Sequence, residues 1–220
     1  AVGKVVRAFL GSPGKRYHES MPFPRFLLAA AVLPGLLSTE NWPSWRGPSG
    51  QGISTEPGAP LEWSKDRNVL WRAELPAPGN STPIVFGDRI FLTGQDSNRL
   101  VVLALRRSDG ARLWTRDVPA VRIEPTHRLG SPASPTPCTD GEHIYAYFGS
   151  GGIVALDWDG GVTWRRDLPT PMVEFGTSAS PVLHQDLVIL ARDQDEGSHL
   201  LALDRRTGAT VWKSPTGVRM

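Results

Sequence analysis

Three stretches of this chain place the same kinds of residue in the same order: LVVLALRRSDGARLW at 100–114, GIVALDWDGGVTW at 152–164 and HLLALDRRTGATVW at 199–212. Each runs from an apolar segment through a polar, glycine-bearing turn to a tryptophan. The tryptophans, Trp114, Trp164 and Trp212, are 50 and 48 residues apart. A period of that length marks an architecture in which one supersecondary unit cannot bury its own apolar faces and must stack on its neighbours.

The units also open alike. NSTPIVFGDRIFLTG (80–94), SPASPTPCTDGEHIYAYFG (131–149) and SASPVLHQDLVILAR (178–192) each give a Ser-Pro or Thr-Pro opening, a polar turn and a β-rich run. Aligned on Pro83, Pro135 and Pro181, the openings lie 31, 29 and 31 residues before the tryptophan. Four short strands fit in each unit, with Asp109-Gly110, Asp159-Gly160-Gly161 and Thr207-Gly208 in the last turn, where glycine supplies the positive φ of a tight hairpin. Twenty prolines and 23 glycines, with no long helical periodicity, agree. The expected fold is all-β, a β-propeller of four-stranded antiparallel blades with about three blades present, near 80–118, 131–168 and 178–215.

An indole at a fixed place in every unit is expected to lie flat on the neighbouring blade. Stacking a base, a sugar or a cofactor ring is the alternative use of the same residues. Three blades do not close a ring, which takes four to eight, and NVLWRAELP (68–76) reads as a final strand with its own tryptophan, Trp71, and no partners before it. The expectation is an incomplete ring, the front of a longer protein, with an exposed apolar edge prone to association.

The formal charge is +2, but Lys4, Arg7, Lys15, Arg16 and Arg25 against Glu19 give +4 before residue 39, leaving −2 for residues 39–220. No nucleic-acid partner is expected of the repeats. Residues 1–20 have no assignable pattern. Residues 21–38, MPFPRFLLAAAVLPGLLS, have the layout of a signal peptide, with a buried hydrophobic segment or an amphipathic anchor as the alternatives, and their apolar run is too short to span a bilayer, so the protein is expected to be exported to the periplasm or beyond, with no transmembrane span. No cysteine follows that run, so a lipid-anchored leader is not expected. Residues 39–67 form an N-terminal strap before the partial propeller of 68–220.

Cys138 is the single cysteine, which excludes an intrachain disulfide; it reads as a small buried or edge side chain, with a reactive thiol as the alternative. Asp193, Asp195 and Glu196 in RDQDEGSH offer hard oxygen ligands for calcium but sit where a hairpin should turn. Glu124, His127 and Arg128 occupy a long connection, where a histidine beside a carboxylate could be a base or a ligand, or simply surface.

The repeat resembles that of pyrroloquinoline-quinone (PQQ)-type propellers, Ala-x-Asp-x-x-Thr-Gly-x-x-x-Trp. The third unit matches throughout: Ala202, Asp204, Thr207, Gly208 and Trp212. The first keeps Ala104, Gly110 and Trp114, with Arg106 for the aspartate and Asp109 for the threonine. The second keeps Ala155, Asp157, Gly161 and Trp164 in a frame one residue shorter. NWPSWRGPSGQGIS (41–54) is similar to the segment that introduces such propellers in secreted bacterial proteins.

The resemblance implies one of two activities. The first is an exported, non-catalytic scaffold like the assembly-factor branch, without cofactor, binding a protein or polymer partner through loops on one face. The alternative is a PQQ-dependent dehydrogenase, whose quinone lies over calcium with an aspartate base and an adjacent cysteine pair. That pair is absent here. No catalytic, cofactor-binding or metal residue is assigned, and the oligomeric state is left open.

Overall fold

The computed structural model describes residues 40–173 and 176–217. The signal peptide expected at 21–38 lies outside them. The chain divides into two compact units. The smaller, residue 40 with 56–69, is held by a bridge between Ser64 and Arg67, an Arg67–Glu62 ion pair of 2.5 Å and an Asn68 side-chain amide donating to the Glu62 carbonyl at 2.7 Å.

The larger unit, 41–55 and 70–217, contains twelve strands: β1 (Ile84–Phe86), β2 (Arg89–Asp96), β3 (Arg99–Arg106), β4 (Arg112–Val118), β5 (Cys138–Thr139), β6 (Ile144–Phe148), β7 (Gly152–Leu156), β8 (Val162–Arg166), β9 (Val182–His184), β10 (Leu187–Arg192), β11 (His199–Asp204) and β12 (Thr210–Pro215). They form three antiparallel four-stranded meanders, β1–β4, β5–β8 and β9–β12. These are the blades of an all-β propeller, and three are present among the described residues.

Strand alternation explains why single blades are insufficient. Leu100, Val102 and Ala104 of β3 join Ile144, Ala146 and Phe148 of β6 in one core between the first two blades, while Val101, Leu103 and Leu105 turn to the opposite face, against Ala77 and Leu75. In β6 the intervening Tyr145 and Tyr147 pack with Val188, Leu190, Leu201 and Leu203 of the third blade. The central strands β3, β6 and β7 of the first two blades are thus buried on both faces, and the cores between blades are seams. The outer face of the third blade shows Val182, Leu200 and Trp212 exposed.

In each blade the third and fourth strands carry a β-bulge at the same place, next to the Ala104–Trp114, Ala155–Trp164 and Ala202–Trp212 cross-strand pairs. All three alanines are fully buried. A small residue opposite leaves the indole room to lean out of its own sheet, and the bulge supplies the local twist.

Two expectations need correction. Residues 68–76 form no strand, although Trp71 is placed like the other docking tryptophans. A strand needs a ladder partner, and among the described residues none runs beside this segment. The opening proline of the second unit is Pro137, which immediately precedes β5, rather than Pro135. With two prolines withholding amide donors, that first strand shrinks to two residues.

Part of the strap lies along the first strands. Trp42 exchanges both backbone hydrogen bonds with Val85, at 2.7 and 2.9 Å, and the Thr139 amide donates to the Pro43 carbonyl at 2.9 Å, so residues 42–43 tie the first blade to the second.

Candidate functional site

The motif residues build the blade seams. The Trp114 indole N–H donates to the Trp158 carbonyl of the second blade at 2.9 Å, and that of Trp164 to the Arg205 carbonyl of the third at 2.8 Å. Trp71 repeats the bond, reaching the Arg107 carbonyl of the first blade at 2.9 Å. Each ring covers a glycine in the last turn of the blade it meets. A Cβ on Gly110, Gly160 or Gly208 would stand 2.5, 2.8 or 2.6 Å from the ring of Trp71, Trp114 or Trp164. These three glycines have φ of 74°, 80° and 69°, so the position excludes a side chain by both conformation and contact.

In the second blade the docking glycine is therefore Gly160. Gly161, the residue aligned from sequence, lies against the Asp157 carboxylate instead, because the shorter turn closes one residue earlier. Trp212, in the last described strand, covers no glycine among the described residues.

The motif aspartates staple their turns. Asp204 Oδ1 accepts from the Arg206 and Thr207 amides and from the Thr207 hydroxyl at 2.8–3.1 Å, and Asp157 Oδ1 accepts from the Asp159 and Gly161 amides. Where Arg106 replaces the aspartate, the staple is inverted: its guanidinium donates to Asp109 at 2.8 Å, and Asp109 accepts from the Ala111 amide. The Thr207 hydroxyl and amide hold Asp204 below the ordinary carboxylate range.

A second seam device runs through the openings. The Thr82 amide donates to the Thr136 hydroxyl, and the Thr136 amide to the Ser180 hydroxyl, both at 3.0 Å. These residues precede Pro83, Pro137 and Pro181, so a hydroxyl of one blade receives the amide of the blade before it. The recurring Ser/Thr-Pro dipeptide was the available signal.

Between the second and third blades Asp140 is an electrostatic node. It accepts from the Glu142 and His143 amides at 2.9 and 2.7 Å, from the Tyr145 hydroxyl at 2.9 Å and from Arg205 at 3.1 Å. Burial acts to raise its pKa, but these bonds together hold it below the usual value. A depressed carboxylate contributes stability that is fully present above its unfolded pKa of about 4 and is lost as pH falls through the folded value. Asp140→Asn is accordingly expected to melt below the parent at pH 7, with the two melting temperatures converging in scans below about pH 4.

The connections at the other end of the blades hold the remaining candidates, and the structure does not bring them together as the sequence suggested. Glu124 is buried, whereas His127 and Arg128 are exposed on the loop beyond it. Asp193, Asp195 and Glu196 are exposed in the β10–β11 turn, which is pinned by the Asp195 amide on the Met172 carbonyl at 3.0 Å. Among the described residues no three His, Cys, Asp or Glu side chains converge to hold a metal. Cys138 is fully buried in β5, and burial pushes its thiol up, away from thiolate chemistry. These residues do not fit a quinone held over calcium against a cysteine pair.

Sequence reasoning missed a buried polar cluster beneath these connections. Glu124 Oε2 accepts from the Ser150 amide at 3.0 Å. A Cβ on Gly149 would stand 2.3 Å from both Glu124 Oε1 and the Thr177 hydroxyl. Arg192 lies over the Tyr147 ring, 6.0 Å from its centroid, and donates through one terminal nitrogen to the Pro169 carbonyl at 2.5 Å. Burial raises the Tyr147 phenol, Arg192 and a hydrogen bond with Thr177 oppose the rise, and Glu124 adds to it.

Stacked four-stranded meanders, joined by an indole laid on the next blade's turn glycine, define a propeller of PQQ-type repeats. The family described as outer membrane protein assembly factor BamB matches residues 53–174, more than half of the 220, and the chain belongs to that family.

Its relatives include an outer membrane protein assembly factor BamB from Alkalilimnicola ehrlichii, 34% identical over 137 residues, which covers 61% of this chain and 32% of that protein. A polyvinylalcohol dehydrogenase from a Pseudomonas species is 27% identical over 216 residues, covering 90% of this chain and 32% of the relative. The chain spans about a third of the length of both. Similar solved structures include a europium-containing methanol dehydrogenase, with a TM-score of 0.46, 19% identity and coverage of 63% and 25%, and BamB from Moraxella catarrhalis, with 0.45, 15%, 68% and 56%. No helix among the described residues is long and apolar enough to cross a membrane.

Proposed function

We propose that this chain supplies blades of an exported, non-catalytic scaffold that binds a protein partner through the loops at one end of the propeller. The observation that carries the reading is the character of those loops. Val121 is fully exposed, and Leu129 and Met172 are 70% and 66% exposed. All three lie in the connections from β4 to β5 and from β8 to β9, which meander topology places at the same end of the blades. Apolar side chains held in water by loops on a rigid frame are suited to docking a partner.

The relative from A. ehrlichii, an outer membrane protein assembly factor, supports both the partner class and an envelope location. The leader-like segment at 21–38 supports export. A photo-crosslinking residue at Leu129 or Met172, used in intact cells, is expected to capture an envelope protein, and one at exposed Asp88, at the opposite end of the blades, is not. Equal yields from both ends would contradict the assignment.

The dehydrogenase reading draws support from the likeness to the polyvinylalcohol dehydrogenase. In it the quinone site would need blades other than these three. Calorimetric titration of the full-length protein with quinone and calcium separates the two: saturable binding favours the enzyme, and the scaffold reading expects none.

A further inference from the structure

In the connection from β4 to β5, residues 119–137, the exposed apolar residues Val121 and Leu129 each stand beside an exposed arginine, Arg122 and Arg128. Glu124 is the single carboxylate of that connection. It is buried, and its Oε2 accepts from the Ser150 amide. The water-facing part of the connection therefore carries cations and apolar side chains with no anion among them. Among the described residues neither Arg122 nor Arg128 makes a hydrogen bond or ion pair, whereas Arg89, Arg99, Arg106, Arg165 and Arg205 each pair with an aspartate.

The backbone that presents these residues is held in place. Ala120 and Ile123 pack on the core between the first two blades, the Asn80 side-chain amide donates to the Leu129 carbonyl at 3.1 Å, and the Gly130 amide donates to the His127 carbonyl at 2.7 Å. A partner that docks there has little loop ordering to offset.

The chemistry selects the partner. A guanidinium takes a carboxylate through two parallel N–H donors, and arginines beside apolar anchors are what protein interfaces favour. An anionic lipid surface fits less well. Its recognition takes clusters of about four to eight Lys or Arg. Meander topology also puts the exposed Asp193, Asp195 and Glu196 of the β10–β11 turn at the same end of the blades, where they repel such a surface.

We propose that the β4–β5 connection is a docking ledge for an acidic, apolar protein segment, whose carboxylates pair with Arg122 and Arg128 while its apolar side chains cover Val121 and Leu129. The inference rests on the reading that this end of the propeller docks a protein, and adds the chemistry of the segment that it takes.

The test places a photo-crosslinking residue at Leu129 of the full-length protein in intact cells and maps the crosslinked position on the captured protein by mass spectrometry. That position is expected to be an apolar residue flanked by Asp or Glu. Arg122→Glu combined with Arg128→Glu is expected to cut the yield roughly tenfold, while Arg112→Glu, at an exposed position of β4 outside the ledge, leaves it unchanged. Because both ledge arginines are exposed and unpaired, the double variant is expected to keep the parent's circular dichroism spectrum and melting temperature. Lysines in place of the mapped carboxylates are expected to restore capture by the double variant, which a mere distortion of the loop does not allow. Undiminished capture by the double variant, or a mapped segment without carboxylates, overturns the proposal and leaves protein docking intact. No capture from either Leu129 or Met172 overturns both. Flotation of the protein with phosphatidylglycerol-containing phosphatidylcholine vesicles, lost in the double variant, assigns the ledge to a membrane and overturns the proposal as well.

Discussion

Trp164→Ala is expected to destabilise the larger unit by about 3–5 kcal/mol, the cost of truncating a large aromatic in a core. In a chain of this size that is a fall in melting temperature of roughly 6–20 °C. The indole is 9% exposed, packs in the core between the second and third blades near Tyr145 at 6.0 Å, and gives its N–H to the Arg205 carbonyl. Removing it opens a cavity and leaves that carbonyl without its partner. Trp63 is the internal control. At 63% exposed, its replacement by alanine is expected to change stability by no more than about 0.5 kcal/mol. Thermal melts of the two variants by circular dichroism decide the matter, and equal melting temperatures would remove the docking role.

The reciprocal change lies on the other blade. Gly208→Val combines two penalties that can be separated. A β-branched residue at a φ of 69° carries left-handed strain of about 1–2 kcal/mol, and a side chain beginning 2.6 Å from the Trp164 ring adds overpacking of about 1–3 kcal/mol. The expected loss is about 2–5 kcal/mol by thermal or urea denaturation. Gly87→Val isolates the first term. That glycine also has positive φ, 57°, in a turn of the first blade, but a Cβ on it would meet nothing within 4 Å. A loss at Gly208 no larger than at Gly87 would mean that the indole yields without cost.

What the sequence made legible follows from how local each interaction is. The alanine, the turn and the tryptophan of one repeat lie within about a dozen residues of one another, so the hairpin of β11 and β12 can be read directly from Ala202 to Trp212. The contact that hairpin makes is not local. Trp164 meets a turn some forty residues on, and only recurrence of the pattern hinted at it. Gly160 and Gly161 could not be distinguished, because two adjacent glycines fit the motif equally and only the backbone decides which takes positive φ. Pro135 and Pro137 posed the same ambiguity. The hydroxyl contacts of Thr136 and Ser180 were hidden because Ser-Pro and Thr-Pro read as loop chemistry.

The buried cluster was the least visible. In the sequence Glu124 is one charge in a polar loop beside His127 and Arg128, and Arg192 is the last residue of the β-rich run 178–192. Charged residues are mostly solvated, so nothing in either neighbourhood announced that the two would be enclosed around Tyr147. Conversely, the acidic run at Asp193, Asp195 and Glu196 was conspicuous in sequence and is a solvated turn in the structure.

The central claim is that each indole and the turn glycine of the next blade form one interaction. A double-mutant cycle on Trp164→Ala and Gly208→Ala measures it directly. With the indole gone, alanine at 208 should retain only its backbone strain, so the two losses should fall short of additive by about 1–3 kcal/mol, the overpacking that the indole imposes and within the roughly 0.5–3 kcal/mol found for residues in contact. Additivity to within about 0.5 kcal/mol, as for distant sites, would contradict the account.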